Sequence, residues 1–331
     1  MSLAARLGQS EHSFEHFGES LGSSRHAYHQ HPLFEDDALI ELLTHHPREK
    51  LQCFTMGDDP TRPDEWQAVC PRNVTGGRLL EAVRRGKLWI NVTNVDRFDK
   101  RYKRLITEMY GEIEARCPTV TNPKLYYNTL VLASPGTQFY YHVNPEDNML
   151  WQMRGDLKLS MLPAMDFRFV SQEHLEEIFA REASGSIPYR EDFAPFVRST
   201  DVTAGDCAWW PLSAPIRMEY QTMCVSLVTS YYCRRRHRRE IVQLANRYLL
   251  RAFGVRDRST AESGLRSKLK RILFRTLNKC MTFKKRYDFT DSYVTNLRVN
   301  LDHPQCIERT ASIIAPDFCN KNSKKKAAEA A

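Results

Sequence analysis

Gly136-Thr-Gln-Phe-Tyr-Tyr-His142-Val-Asn144-Pro-Glu-Asp-Asn148-Met-Leu-Trp-Gln-Met-Arg-Gly155 and, some 50 residues on, Gly205-Asp-Cys-Ala-Trp-Trp-Pro211-Leu-Ser213-Ala-Pro-Ile216-Arg217-Met-Glu-Tyr220 are the two blocks on which the fold turns. Each opens on a glycine and carries short aromatic, β-branched or apolar runs separated by Asn-Pro and Pro-Leu-Ser turns. That is the pattern of strands, not of a helix. His142 is the one imidazole in either block. Tyr140, His142, Asn148, Trp209 and Arg217 are the residues expected to line an interior cavity. Neighbours on a strand point to opposite sides, so one of Trp209 and Trp210 must face inward and the other outward.

The β pattern extends outward from these blocks, with strands predicted at Tyr126–Leu132, Thr137–His142, Asn148–Met153, Leu157–Leu162, Ala208–Pro211 and Met223–Tyr231. Between the blocks lies an insertion, with a helix over Gln172–Arg181 capped by Ser171 and a loop at Ser184-Gly-Ser-Ile-Pro. Upstream, Leu33, Phe34, Leu39, Ile40, Leu42 and Leu43 have helical spacing, with Glu35, Asp36 and Asp37 in the first turn where the helix dipole favours acids. Helices over Arg78–Arg85 and Phe98–Ala115 flank a strand beginning at Lys87. Downstream, His237–Phe253 and Gly264–Cys280 are amphipathic. The predicted class is mainly β with flanking helices (α+β): a barrel or jelly-roll core, N-terminal helices and a C-terminal basic helical region. The expected division is a flexible segment over 1–30, the barrel domain with its N-terminal helices over 31–233, the basic helical region over 234–318, and a solvated tail over 319–331.

With 42% hydrophobic and 27% charged residues, the composition is that of an ordinary globular chain. No apolar run approaches the ~18 residues that span a bilayer, and the first residues lack the apolar core of a signal peptide. Nine cysteines without a CxxC pair indicate neither a disulfide framework nor a zinc ribbon, and fit a reducing cytoplasm. The net charge of +8 is uneven. Arg234 to Arg286 holds 18 Lys and Arg against three acids, whereas the remainder holds 30 basic and 37 acidic residues. In the second basic helix Leu265, Leu269, Ile272, Leu273 and Leu277 share a side, and Arg266, Lys270, Arg271 and Arg275 are the candidate basic surface. Such a face suits the outside of a helical subdomain, an anionic membrane or nucleic acid.

The run Tyr141-His142-Val-Asn144-Pro-Glu-Asp-Asn148-Met-Leu-Trp-Gln152-Met-Arg-Gly155 resembles the metal-strand signature of the JmjC-like, cupin-like oxygenases, in the manner of the asparaginyl hydroxylase branch and a bacterial group of cupin-like proteins. Gly205 to Tyr220, with Val225-Ser-Leu-Val after it, resembles that family's second motif, and the likeness covers about 95 residues. It implies a double-stranded β-helix holding Fe(II) on a His-x-Asp…His facial triad, with positions open for 2-oxoglutarate and O₂. On that pattern His142 matches the first ligand, Asn144 stands where the carboxylate belongs and Ile216 where the distal His belongs. Leu157 stands at the position of the lysine that anchors 2-oxoglutarate, and Lys158 beside it is expected to point to the opposite face. An amide oxygen is a weaker donor than a carboxylate, and isoleucine cannot ligate. Gly136, Asn148, Gly155, Gly205 and Pro211, the turn and packing residues, are kept. The resemblance thus implies a preserved barrel with a disabled centre, Fe(II) and 2-oxoglutarate both lost. It also implies a homodimer through the C-terminal helices, as in the asparaginyl hydroxylase branch.

Three functions compete: a non-catalytic ligand-binding, scaffold or regulatory protein for an unidentified small molecule; an active oxygenase with an atypical centre on His142 plus Asn144, Glu146 or Asp147; and a membrane- or nucleic-acid-associated protein acting through its basic helices. Glu146 and Asp147 are expected in a solvent-facing turn. A one-residue slip that turned Arg217 inward in place of Ile216 would make an anion site. His26, His29, His31, His45 and His46 suggest zinc by number, but lack a cysteine or carboxylate at ligand spacing and are expected on the surface around the first helix.

Overall fold

A computed structural model describes residues 17–117, 120, 123–232, 234–251, 253–256, 258–280 and 293–319. Four strands come first: β1 (Gly22–Arg25), β2 (Leu51–Thr55), β3 (Gln67–Ala68) and β4 (Trp89–Thr93). Eight more follow as β5 (Lys124–Ala133), β6 (Gln138–His142), β7 (Asp147–Arg154), β8 (Leu157–Met161), β9 (Arg198–Val202), β10 (Asp206–Trp209), β11 (Ile216–Tyr220) and β12 (Cys224–Tyr232). The order β10-β7-β12-β5 makes one sheet and β6-β11-β8-β9 the other. The chain therefore steps repeatedly between two antiparallel sheets, and this is the expected double-stranded β-helix. The first sheet is extended by β1 beside β10 and by β4, β2 and β3 beyond β5.

Strand alternation sorts the core into two layers. On β5, Leu130 and Leu132 pack outward while Val131 and Ala133 pack inward against the smaller sheet. The outer layer is covered by helices α1 (Asp36–His45), α2 (Gly76–Arg85) and α4 (Lys100–Arg116), which bury Leu39, Leu43, Leu79, Val83, Ile106 and Met109. A four-residue α3 (Val95–Phe98) leads into α4. With both faces covered, β7 is buried from Asp147 to Met153 and has no polar stripe. Helix starts follow their caps: the side chains of Thr75, Asp99 and, for α5 (Gln172–Phe179), Ser171 accept from backbone amides of the first turn. Gly155, at φ 76°, makes the β7–β8 turn, and a Cβ there would lie 2.3 Å from the Met223 carbonyl oxygen.

Helices α6 (Arg234–Ala245) and α7 (Leu265–Cys280) follow the barrel, α6 running on into a π-helical turn over Asn246–Leu250. Two expectations change. Residues 17–30 are not merely flexible, because β1 pairs with β10 and Tyr28 is fully buried. Residues 234–318 are not helical throughout, because β13 (Thr295–Val299) and β14 (Ile307–Ile314) form a hairpin. That hairpin returns to the N-terminal half: the Cys70 amide donates to the Leu297 carbonyl (2.9 Å), the Val299 amide to Cys70 (3.1 Å) and the Lys87 amide to Gln305 (3.1 Å). Residues 320–331, most of the expected tail, lie outside the described residues, as do 1–16.

Candidate functional site: the barrel cavity

The barrel encloses a cavity of about 370 Å³. Trp89, Asn91, Tyr127, Thr129, Asn148 and Ser230 line it from the larger sheet, Phe139, Ile216 and Met218 from the smaller, and Asn144, Glu146, Arg181 and Trp210 at its rim. Its walls are aromatic and its polar groups are mostly amides and hydroxyls. Asn148 is held rigidly, accepting from the Ser230 hydroxyl (2.6 Å) and donating to the Glu146 carbonyl (2.9 Å). Trp89 donates to Asn91 Oδ1 (2.6 Å) and stacks on Phe139.

The two residues matched to iron ligands bond to one another. His142 Nε2 lies 2.8 Å from Asn144 Oδ1. Burial pushes the imidazole down to about 4, with the Asn144 contact opposing that shift. The ring is therefore neutral over the working range, and an amide oxygen can only accept, so the proton sits on Nε2, the nitrogen nearest the cavity's amide. Ile216 is the direct cross-strand partner of His142, almost fully buried. The insertion presses from the other side: the Val143 amide donates to Gly185, the Ile187 amide to Tyr141, and a Cβ on Gly185 would lie 2.5 Å from the His142 ring.

These residues do not fit an Fe(II) facial triad. His142 Nε2 is spent on Asn144, Ile216 offers no donor, and Asn144 brings no charge. The acids nearby are turned to other work. Glu146 is not solvent-facing as expected: it bridges Arg181 and the buried Arg236 (3.5 Å to the latter). Asp147 pairs in register with Tyr231, which belongs to the outer layer, so its side chain leaves the cavity. Among the described residues no three His, Cys, Asp or Glu converge as metal donors. The position expected to anchor 2-oxoglutarate holds Leu157, fully buried in the inner layer, while Lys158 is exposed on the opposite face.

Of the predicted cavity residues, Asn148 lines the cavity and His142 bonds Asn144, the degenerate ligand position, which lines it too. Three do not belong. Arg217 points outward, bonding Gln138 Oε1 (2.7 Å) and Glu219 (3.1 Å), so no register slip occurs. Tyr140 is buried but does not line the cavity and its hydroxyl reaches the Gly57 carbonyl (3.4 Å), because a bulge between Ile216 and Met218 breaks alternation on β6 and puts Phe139 and His142 on one face. Trp209 pairs with Met149 and packs in the outer layer; Trp210 takes the inward position. The sequence reading missed Trp89, Asn91, Thr129, Ser230 and Arg181; the strand alternation around Val131 and Leu227 carried the signal for Thr129 and Ser230.

Five arginines of the basic segment are paired with acids inside the protein. Arg236 Nε donates to the Pro145 carbonyl (2.8 Å) and Arg239 to Leu212 (2.5 Å), fastening α6 to the cavity rim. Arg239 pairs with Glu262, Arg247 with Glu177 and Glu182, Arg251 with Glu173, and Arg258 with the buried Glu176. Lys270 donates to Asn246 and Ser259, which removes it from the expected basic surface, and the half-buried Arg271 donates through Nε to the Ser267 carbonyl (3.3 Å). Arg266 and Arg275 remain exposed. The histidines are not a zinc site: His26 and His46 are buried, and each of His26, His29, His45 and His46 contacts a backbone carbonyl through a ring nitrogen.

The strand order and the cavity define a double-stranded β-helix fold. A solved structure that shares it is E. coli YcfD, matched at a TM-score of 0.50 and 11% identity over 82% of this chain and 68% of that one. A second structure of YcfD, described as a ribosomal oxygenase in complex with cobalt and 2-oxoglutarate, matches at a TM-score of 0.46 and 12% identity over 83% and 68%. No family model and no curated protein matches the sequence.

Proposed function

We propose that this chain is a non-catalytic member of the JmjC/cupin fold that binds a small molecule in its barrel. The observation that carries the reading is the His142–Asn144 hydrogen bond with Ile216 opposite it. A three-donor face for Fe(II) needs two imidazoles and a carboxylate, and one imidazole already engaged leaves none of the three. Leu157 removes the cation that would hold a dicarboxylate. The ligand fits an aromatic-walled space lined with fixed amides and hydroxyls, so it is a compact, mostly uncharged molecule carrying both donors and acceptors. The motif around His142 resembles the asparaginyl hydroxylase branch, whereas the solved structure described above is a ribosomal oxygenase; the proposal needs only the fold that they share.

The test is anaerobic titration of purified protein with Fe(II) and 2-oxoglutarate. Neither near-stoichiometric iron nor the visible charge-transfer band of a ternary complex should form. Appearance of that band would make the protein an oxygenase with an atypical centre.

A further inference from the structure

We infer that α7 is a membrane-docking helix, seated on anionic lipid through an apolar face that the fold leaves uncovered. The helix has two apolar sides. Phe274, buried to 3%, packs with Leu277 on Ile241 of α6 and Leu249 of the π-helical turn. On the opposite side Leu265, Leu269, Ile272 and Leu273 are 73%, 58%, 52% and 53% exposed. At 3.6 residues per turn these four form one stripe, bordered by Lys268, Arg275 and Lys279 along one rim and Arg266 along the other. All four cations are exposed.

Charge decides the occupant. Arg236 and Arg239 of α6, Arg247 in the π-helical turn and Arg251 after it are matched by Glu146, Glu262, Glu177, Glu182 and Glu173, but α7 contains no acid, and Arg275 lies 2.7 Å from His237 Nε2. A second copy docking stripe to stripe would bring a cationic rim against a cationic rim in either orientation. The stripe from Leu265 to Leu273 is also about 12 Å long and one helix wide, well short of the ~800 Å² per partner of a stable dimer. An anionic bilayer meets both demands: the leucines enter the acyl boundary and the cations reach the headgroups. No helix among the described residues is long and apolar enough to cross a membrane, so the contact is interfacial.

The experiment is co-sedimentation of the full chain with phosphatidylcholine vesicles, with and without phosphatidylglycerol. Protein should pellet with the anionic vesicles alone, and less as salt rises. Leu269→Ser with Leu273→Ser should weaken binding by roughly tenfold or more, as should Lys268→Glu with Lys279→Glu. All four side chains are exposed, so an unchanged melting temperature confirms that the variants fold. Wild type that stays in the supernatant overturns the proposal. So does unimpaired vesicle binding by the leucine variant, or a wild-type dimer in light scattering that this variant dissociates. Tighter binding to DNA or RNA than to vesicles, indifferent to the leucines, would assign the cations to nucleic acid instead.

Discussion

His142 and Ile216 sit directly opposite one another on β6 and β11, so an imidazole placed at 216 would face the first across the strand pair. Replacing Ile216 with His and Asn144 with Asp should give a three-donor face and raise Fe(II) affinity at least roughly tenfold over wild type. Anaerobic iron analysis after desalting reads this. Turnover should stay absent, because Leu157 cannot pair with a carboxylate. A folded double variant that holds no more iron than wild type would mean that the two positions do not converge.

Glu146 joins the cavity rim to α6. Its carboxylate serves Arg181 and Arg236, and Arg236, 4% exposed, also lies over the Tyr232 ring. Glu146→Ala should cost about 3 kcal/mol in urea unfolding, since it withdraws the counter-charge from a buried guanidinium. Glu308→Ala, which breaks the more exposed pair with Arg298, should leave the urea midpoint nearly unchanged.

Acid should destabilise the fold through His26. Burial holds its imidazole at about 4, below its ordinary value; the Asp206 carbonyl and carboxylate oppose that shift, and His29 and Arg25 add to it. The unfolded chain takes up this proton first as pH falls. The stability tied to the neutral ring is thus complete above about 6.5, drains away toward about 4, and changes no further below that. The full difference is on the order of 3 kcal/mol. In His26→Gln, the gap between unfolding free energies at neutral pH and near pH 5 should narrow. An unchanged gap would place the sensitivity elsewhere.

Gly185 is where the insertion touches the cavity wall. Its missing side chain leaves room for the Val143 carbonyl, 2.2 Å from where a Cβ would sit, and for the His142 ring. Gly185→Ala should cost about 1–3 kcal/mol and shift the His142 ring resonances in NMR, because the loop must lift away.

The core strands were readable because aromatic and β-branched runs alternate cleanly between marked turns. Tyr126–Leu132 and Asn148–Met153 anticipate β5 and β7 to within two residues at either end. Three cavity residues were misplaced for one reason: orientation depends on register, and a bulge or a strand end shifts register without changing composition. Tyr140 is displaced by the bulge, and Trp209 and Arg217 by the parity of their strands. Arg198–Val202 went unread as β9 because it is mostly exposed and polar. The arginine-rich stretch misled differently. A count of charges does not show that Glu173, Glu177 and Glu182, far away in sequence, are waiting to meet it.

The hairpin that returns from the C-terminal end to Cys70 and Lys87 sets an order on the birth of the molecule. Cys70 is threaded into the chain roughly 230 residues before the segment that completes its hydrogen bonds. While the polypeptide is still being made, that flank stays unsealed however soon the barrel closes. The hairpin acts as a clasp. A chain halted before it would keep its cavity and lose its fastening.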